Sequence, residues 1–455
     1  MHERGRQRVQ HHNHAPIIHD FLCYNNAVQR NYSDLLEKLI DAARLELLHL
    51  LAYEASMLQM PVYIVGGGVR DILLGRPVND FDLVVEGNAI ELAEFVLKKI
   101  GGRVVFHSRF GTATWILNEN VYKHLNVPVL HSAEAPASLD LISARSEIYL
   151  QPGALPTVTR SAIEDDLRRR DFTINAMAIQ LDGHHFGELL DPLDGESDLR
   201  GGIIRVLHPR SFIDDPTRMY RAVRYEGRYG FKIAEDTLVL IPEARAFVEK
   251  LSAQRIRHEL DLILEEPNAA SMLARLDELD LLSVVHPALS NFNQSNLAHL
   301  ESDDAARQNR NSRWILWLMH LHNQEIELLN ARLHFTADLL KLLRSASLLN
   351  ANLNTVVGLK PSESVQLLDS YSLRAIDVIS HIVQDIEIKN ILTKYLSEWW
   401  HARPKTTGHD LKKLGIPPGP KYTEILRRLR AAWLDGEIRT ETEEKTLLNN
   451  LLSKP

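Results

Sequence analysis

Hydrophobic positions recur with two different periods along the chain, and the change of period divides it. Up to about residue 187, short apolar runs and alternating segments are interleaved with helical patterns, which is typical of an α+β domain. From about residue 209 onward the helical period dominates, and no convincing strand pattern appears. The pattern therefore predicts a domain built on a β-sheet, followed by an all-helical half.

The first part of the chain predicts a definite order of elements. Residues 32–59 carry apolar side chains at helical spacing and predict one amphipathic helix. "PVYIVGG" predicts a buried strand ending in a turn, "VRDILLG" a short helix that ends at Gly75, and "DFDLVV" a second strand. Farther on, "ELAEFVLKKIGG" predicts a helix, "RVVFHSRFGTATWIL" two strands, and "SLDLISARSEIYL" one half-buried strand. The mixed, Pro-containing segment 118–138 predicts a loop.

Composition limits the class of protein. A length of 455 residues suggests about three structural units, and 45% hydrophobic with 25% charged residues is ordinary for a globular protein. The single cysteine, Cys23, excludes an internal disulfide framework. No run approaches the ~18 apolar residues of a membrane span. We therefore expect a cytoplasmic protein with no membrane partner, in which the polar, His-rich residues 1–30 form a disordered leader rather than a metal site.

Positive charge is concentrated in two zones of an otherwise acidic chain. The net charge is −8, yet residues 200–232 hold eight Lys/Arg against three acids, and residues 403–430 hold eight against two. Two such zones are typical of a polyanion-binding surface, although a solvated helix face gives a similar count.

The candidate chemistry begins with a glycine turn followed by two close aspartates. In "VGGGVRDILLGRPVNDFDLVV", the glycines free consecutive backbone N–H groups that can hold an anion, and Arg70 can add charged hydrogen bonds to a triphosphate. Asp80 and Asp82 lie two residues apart on a predicted strand and project from one face. Such a pair favours a bridging Mg²⁺, and two ions activate an attacking hydroxyl in phosphoryl transfer. Asp140, on "SLDLI", is a candidate third ligand.

These residues carry a resemblance to a known family. The segment around the glycine turn resembles the head-domain signature of class II tRNA nucleotidyltransferases and bacterial poly(A) polymerases, in the polymerase β superfamily. The likeness continues through "DLRRRDFTINAMAI", "DPLDGESDLRGGIIRVLHPRSFIDDPTRMYRAVRY" and the tail "TGHDLKKLGIPPGPKYTEIL". The resemblance implies template-independent addition of C and A nucleotides from CTP and ATP to the 3′ end of tRNA, with two Mg²⁺ ions and release of pyrophosphate.

The resemblance also implies a division into domains. We expect a catalytic nucleotidyltransferase head with a mixed β-sheet over residues 31–187 and a helical neck that reads the base and binds RNA over 188–265. A helical body over 266–400 and a basic, tRNA-binding helical tail over 401–455 complete the chain. No obligate protein partner is evident.

Individual residues match the family's functional positions. The resemblance assigns Asp80 and Asp82 as catalytic metal ligands, and Gly67 and Arg70 as contacts of the triphosphate. The remaining matches are Arg170 and Asp171 at the phosphates and ribose, Asp215 and Arg218 at the base, and Arg221 one helical turn farther on.

The proposed base-reading pair has a physical rationale. "DDPTRMYR" predicts a helix start, with Asp215 and Arg218 as i, i+3 neighbours on one face. An aspartate accepts from an exocyclic amino group, and an arginine donates to a ring nitrogen or carbonyl. Cytosine and adenine satisfy both groups, whereas uracil and guanine leave them mispaired. The pair explains selection of C and A together but does not choose between them.

Several departures and alternatives remain. Asp214 stands where the family often has glutamate, and Gln254 replaces a usual glutamate in "SAQRIRHELDLIL". The dipeptide His409–Asp410 is also found in metal-dependent phosphohydrolases, although the tail motif predicts a helix start there. The alternatives are a specialist that adds only CC or only A, a poly(A) polymerase, and a non-catalytic RNA-binding protein.

Overall fold

The computed structural model describes residues 30–78, 81–107, 111–124, 137–290, 297, 299–301 and 309–453. The chain forms two compact units, one comprising Met1–Ala144 with Met177–Pro192 and the other Arg145–Ala176 with Leu193–Pro455. Residues 1–29 of the predicted leader and most of the predicted loop 118–138 lie outside the described residues. The boundaries of head, neck, body and tail stay a prediction.

The first unit is built on a mixed seven-stranded sheet with strand order β3-β4-β5-β2-β1-β8-β9. Strands β2 and β5 run parallel, and the other neighbouring strands pair antiparallel. The interior strand β1 is buried along its whole length, as its unbroken apolar run predicts. The strands are β1 Val62–Val65, β2 Asp82–Val85, β3 Arg103–His107, β4 Thr112–Ile116, β5 Ser138–Ser143, β8 Ala178–Gln180 and β9 Leu189–Leu190.

Helices cover the sheet of the first unit. Helix α4 packs against β3, β4 and β5, and its apolar stripe is wholly buried at Ala89, Leu92, Ala93 and Val96. The helices are α1 Ser33–Leu39, α2 Ala42–Met57, α3 Gly67–Leu73, α4 Ala89–Lys99 and α5 Glu119–Tyr122. Helix α5 lies inside the segment predicted as loop, because the Asn118 side chain accepts from two backbone N–H groups and caps one helical turn.

The second unit is mainly helical. Its small sheets are the antiparallel hairpin β6–β7 and the parallel pair β10–β11. The strands are β6 Arg145–Ile148, β7 Thr157–Arg160, β10 Ile203–Ile204 and β11 Lys232–Ile233. The helices are α6 Ile163–Arg168, α7 Gly195–Gly201, α8 Ser211–Asp214, α9 Thr217–Tyr229, α10 Glu235–Leu238, α11 Ile241–Ala244, α12 Ala253–Glu265, α13 Ala269–Glu278, α14 Arg310–Leu318, α15 Asn323–Leu333, α16 Ala337–Ala351, α17 Pro361–Leu368, α18 Leu373–Ile382, α19 Ile386–Ser397, α20 Gly408–Lys413, α21 Pro420–Leu434 and α22 Glu441–Leu452.

The predicted class, a mixed-sheet domain followed by helices, is confirmed. Besides helix α5 in the predicted loop and the two-residue strand β11 in the half predicted as all-helical, two further element predictions were wrong. The helix predicted over 32–59 is two helices, because Asp41 begins α2 as an N-cap whose side chain accepts from Arg44 N. The strand predicted from "SLDLISARSEIYL" is divided between the two units after Ala144, with β5 in the first and β6 in the second. In the described part of the chain, no helix is both long and apolar enough to cross a membrane.

Candidate active site

The first unit brings two predicted metal ligands together. Asp82 opens β2, and its partner in the parallel register of β5 is Asp140. Parallel neighbours lie about 4.8 Å apart, and register partners project from the same face of a sheet. Both aspartates are exposed. Thr114, the register partner of Asp140 on β4, donates its hydroxyl to Asp140 Oδ1 at 2.6 Å, so one oxygen of this carboxylate is already oriented.

This arrangement suits a hard divalent cation. Two neighbouring carboxylates repel unless a cation lies between them, and Mg²⁺ prefers oxygen ligands. Asp80 lies outside the described residues, so the Asp80–Asp82 metal pair stays a prediction. Within the described residues, no group of three or more His, Cys, Asp or Glu side chains forms a metal site. The donor set of Asp82 and Asp140 nevertheless fits magnesium in charge and chemistry.

The predicted strand–turn–helix at the glycines is confirmed. Gly66 has φ +63° and ψ −123°, a conformation that needs glycine, and it turns the chain from β1 into α3. A Cβ on Gly67 would meet Arg70 Nη2 at 3.3 Å, so the guanidinium occupies the space that the glycine leaves. Arg70 is buried and holds Asp71 with two parallel hydrogen bonds of 3.0 and 3.1 Å. The turn therefore places the fixed guanidinium of Arg70 beside the backbone of Gly67, which carries no side chain.

In the second unit, a fully buried carboxylate holds the predicted arginine of the "RRD" motif. Asp166 is 0% exposed and accepts from Arg170 Nη2 at 2.9 Å and from Arg169 Nη2 at 2.7 Å. The Arg169 guanidinium also reaches Glu147 at 2.9 Å. These ion pairs have little contact with water, which strengthens them and fixes the orientation of Arg170.

Two further predicted residues form an ion pair. Arg221, on α9, donates to Asp171 Oδ2 through Nε at 2.9 Å and Nη2 at 2.5 Å. Asn175 donates to the other oxygen at 2.9 Å. Burial raises the pKa of Asp171, but the Arg221 charge and these hydrogen bonds outweigh it and lower the pKa to about 2. Asp171 is therefore a permanent carboxylate that keeps Arg221 in place.

The prediction that Asp215 and Arg218 share one helix face was wrong. Asp215 has an extended backbone (φ −135°) between α8 and α9, because α9 begins only after Pro216. Its Oδ1 accepts from Thr217 N at 3.0 Å and from Thr217 Oγ1 at 2.7 Å. The Arg218 side chain is buried and donates to Ser211 Oγ at 2.6 Å and to the Arg169 carbonyl at 2.8 Å. Each side chain is thus fixed by its own partners.

Sequence reasoning missed Arg255, which binds the predicted base-reading carboxylate. Arg255, near the start of α12, donates through Nη2 to Asp215 Oδ1 at 2.6 Å and through Nη1 to the Gly153 carbonyl at 2.8 Å. Gly153 N donates in turn to the Asp214 carbonyl at 3.2 Å. The signal lies in "SAQRIRHEL", where Arg255 directly follows Gln254 at the start of a predicted helix.

The basic zone 200–232 is largely neutralised within the second unit. Six of its arginines lie within ion-pair distance of acidic side chains, most of them outside that stretch: Arg200 with Glu196, Arg205 with Asp198 and Asp236, Arg210 with Asp214, Arg221 with Asp171, and Arg224 and Arg228 with Glu266. The local excess of positive charge in the sequence therefore overstates the charge that this stretch presents to a polyanion.

The tail keeps more of its charge exposed. Lys405, Lys412, Lys413, Lys421 and Arg427 are all exposed. His409–Asp410 does begin a helix, since Asp410 and Thr407 form a capping box at the start of α20. Asp410 Oδ2 is used by that cap, and no cluster of three or more potential metal ligands forms around it among the described residues, as the phosphohydrolase alternative would need.

Comparisons with known proteins match two family models to this chain. Residues 62–205 match the family model described as Poly A polymerase head domain, and residues 230–293 match the model described as Probable RNA and SrmB- binding site of polymerase A. The A-adding tRNA nucleotidyltransferase of Halalkalibacterium halodurans is 33% identical over 430 residues, which cover 91% of this chain and 94% of that protein.

Solved structures show the same similarity. The Thermotoga maritima CCA-adding enzyme complexed with tRNA matches with a TM-score of 0.72 and 30% identity, over 94% of this chain and 99% of that one. A complex of CCA-adding enzyme with CTP matches with a TM-score of 0.77 and 30% identity, over 94% and 100%. With the motif residues placed as described above, the chain belongs to the tRNA nucleotidyltransferase family and is a nucleotidyltransferase.

Proposed function

We propose that this enzyme adds C and A nucleotides from CTP and ATP to the 3′ end of tRNA without a template, releasing pyrophosphate. Similar solved structures are CCA-adding enzymes described with tRNA, ATP and CTP. The observation that supports the proposal is the fixed orientation of Asp215 and Arg218, the two side chains that we assign to the base. A cytoplasmic location accords with a tRNA substrate and a single cysteine.

The first unit supplies the groups for phosphoryl chemistry. Asp80 and Asp82, with Asp140 as a third ligand, would hold two Mg²⁺ ions. Magnesium held there would lower the pKa of the attacking hydroxyl and neutralise charge on the leaving oxygen. Gly67 and Arg70 bind the triphosphate, since the glycine exposes backbone and the guanidinium adds a fixed positive charge.

The second unit supplies the groups that hold the nucleotide. Arg170 contacts its phosphates, held in orientation by the buried Asp166. Asp171, assigned to the ribose side of the nucleotide, remains ionised at neutral pH and keeps Arg221 oriented there. Preorganised charges of this kind stabilise the transferring phosphoryl group without reorganisation cost during the reaction.

Base selection depends on which atoms of Asp215 and Arg218 can still form hydrogen bonds to the base. In the described part of the chain, the hydrogen bonds and the ion pair of Asp215 all use Oδ1. Oδ2 is then the oxygen that accepts the exocyclic amino group of cytosine or adenine. Arg218 is held through one N–H of each terminal nitrogen, so other guanidinium N–H groups can donate to the ring nitrogen or carbonyl. Uracil and guanine present the opposite pattern and are rejected.

One observation favours a second candidate, a specialist that adds only the terminal A. The Halalkalibacterium halodurans protein, matched over nearly its full length, is an A-adding tRNA nucleotidyltransferase. The base-reading pair accepts both C and A and therefore does not distinguish the two activities.

The decisive assay offers the purified protein three tRNAs, ending before CCA, after C and after CC, with CTP and ATP given singly and together. Full C and A addition predicts extension of all three to the complete end. Incorporation only of A, and only on the CC substrate, would identify the A-adding specialist. Long A tails on unrelated RNA would instead indicate a poly(A) polymerase, and tRNA binding without incorporation a non-catalytic protein.

A further inference from the structure

A pocket in the second unit is lined by indole rings and cations, and no predicted site residue belongs to it. This tryptophan pocket lies between the segment that follows α19 and the end of α21, and has a volume of about 350 Å³. That is near the lower end of the ~300–1,000 Å³ range of ligand sites. Its lining residues are Glu398, Trp399, Ala402, Arg403, Lys405, Trp433 and Leu434.

One wall of the pocket is held by two arginines. Arg430, from α21, donates to the Ala402 carbonyl at 3.0 Å and to the Trp399 carbonyl at 3.3 Å. Its remaining terminal nitrogen pairs with Asp369 at 2.6 Å. Arg403 donates to the carbonyls of Trp400 and Ala402 at 2.6 and 2.8 Å. The backbone that carries Trp399 is therefore fixed before any ligand arrives.

The opposite wall is fixed by a buried carboxylate. Glu444, on α22, is 1% exposed and accepts from the Trp433 indole N–H. It also accepts from Lys405 N at 3.0 Å and from Thr406 N at 2.6 Å. The Glu444 side chain thus connects the Trp433 indole to the backbone segment that carries Lys405. Hydrogen bonds therefore hold both aromatic walls in place.

The chemistry of the lining indicates a nucleic-acid ligand. Trp399 and Trp433 are only partly buried, so aromatic surface remains open to the pocket. Arg403 and Lys405 are exposed beside them and outnumber the single acid, Glu398. Aromatic faces stack on bases, and neighbouring cations bind the phosphates on either side.

We propose that the tryptophan pocket binds one unstacked base from a loop of the tRNA, with Arg403 and Lys405 on the flanking phosphates. Bases inside a helical stem are already stacked, so a single-stranded segment must present the base, and the loops of a full tRNA are the ones that an acceptor-stem microhelix lacks. This inference rests on the proposed function, because it assumes that tRNA is the substrate. It adds a contact that a bare acceptor stem cannot make.

The test compares a full tRNA with a microhelix that contains only the acceptor stem closed by a short stable loop. Trp399→Ala should raise KM for tRNA about tenfold and leave kcat unchanged, since one base stack is lost. KM for the microhelix should not change. Trp399→Phe should restore much of the affinity for tRNA, because an aromatic face is retained. Trp400→Ala is the matched control, since Trp400 does not line the pocket.

Three results would overturn the proposal: an unchanged KM for tRNA in Trp399→Ala, an equal rise for tRNA and microhelix, or the same loss in Trp400→Ala. Binding at this pocket can be measured by the quenching of tryptophan fluorescence that Trp399→Ala removes. Tighter binding of free ATP or CTP than of tRNA in that measurement would also contradict the proposal. Failure of the proposed function would be seen separately, as wild-type protein that extends neither RNA. The dissociation constants of tRNA for wild type and Trp399→Ala would then still decide whether the pocket binds RNA.

Discussion

Asp82 and Asp140 are register partners on the parallel strands β2 and β5, although fifty-eight positions separate them in the sequence. Neighbouring strands bring their carboxylates to one face of the sheet. We predict that Asp82→Ala abolishes nucleotide incorporation while tRNA binding is retained, as measured by single-turnover extension and filter binding. Asp140→Ala should lower the rate in the same assay and raise the Mg²⁺ concentration needed for half-maximal activity. Substantial activity in Asp82→Ala would contradict the metal assignment.

Gly67 and Arg70 make a prediction about triphosphate binding. A Cβ at position 67 would touch Arg70 Nη2 at 3.3 Å, so Gly67→Ala should displace the guanidinium and weaken one charged contact. We expect KM for the nucleotide to rise roughly fivefold, with the melting temperature nearly unchanged.

Gly68→Ala provides the contrast for that experiment. Its Cβ would meet Ile64 Cγ2 at 3.0 Å in the core, so it should lower the free energy of unfolding by about 1–3 kcal/mol. If Gly67→Ala lowered stability as much and left nucleotide binding intact, Gly67 would have a packing role instead.

Arg218 makes a prediction about base choice. Its guanidinium is buried and fixed by Ser211 and by the Arg169 carbonyl, so its remaining N–H groups point in a defined direction. Arg218→Ala should therefore relax discrimination, seen as an increased ratio of UTP to CTP incorporation on the same tRNA. Unchanged exclusion of UTP would show that another residue reads the base.

Arg255 should act on base choice through Asp215. Arg255→Met keeps the aliphatic stem but removes the donor to Asp215 Oδ1, so the carboxylate becomes freer to rotate. The pair is partly exposed, and we expect roughly a tenfold loss of kcat/KM with CTP or ATP together with more UTP incorporation. Arg257→Met is the control, because Arg257 on the same helix donates to the Leu333 carbonyl instead. An equal change in both variants would assign the effect to helix stability.

Asp171 makes a prediction about acid stability. Its folded pKa of about 2 lies below the ordinary 3.8, so the unfolded state takes up the proton first as the pH falls. Asp171 contributes on the order of 2 kcal/mol to the free energy of unfolding. This contribution is fully present above pH 4 and is lost as the pH falls through 2. In urea unfolding, the difference in free energy of unfolding between wild type and Asp171→Asn should become smaller as the pH is lowered from 5 to 2. Asp280→Asn removes an exposed surface ion pair. Its free energy of unfolding should therefore stay close to that of the wild type at either pH.

The local features of the chain were readable from its sequence. The strand, the glycine turn and the short helix over 62–73 follow from an apolar run, three consecutive glycines and a helical period, all within a dozen residues. The helical character of the second half follows in the same way from periodicity. Such features depend on neighbours along the chain, so the sequence by itself was sufficient to determine them.

The tertiary structure decided the relationships between distant residues. The parallel register of Asp82 with Asp140, the ion pair of Asp215 with Arg255 and the ion pair of Arg205 with Asp236 all join positions far apart in the sequence. Backbone folding also ended α8 before Asp215, which moved that side chain off the predicted helix face. Periodicity reports only which side of an element is apolar. Which elements meet, and which charge faces which, depends on packing of the whole unit, and no local pattern contains that information.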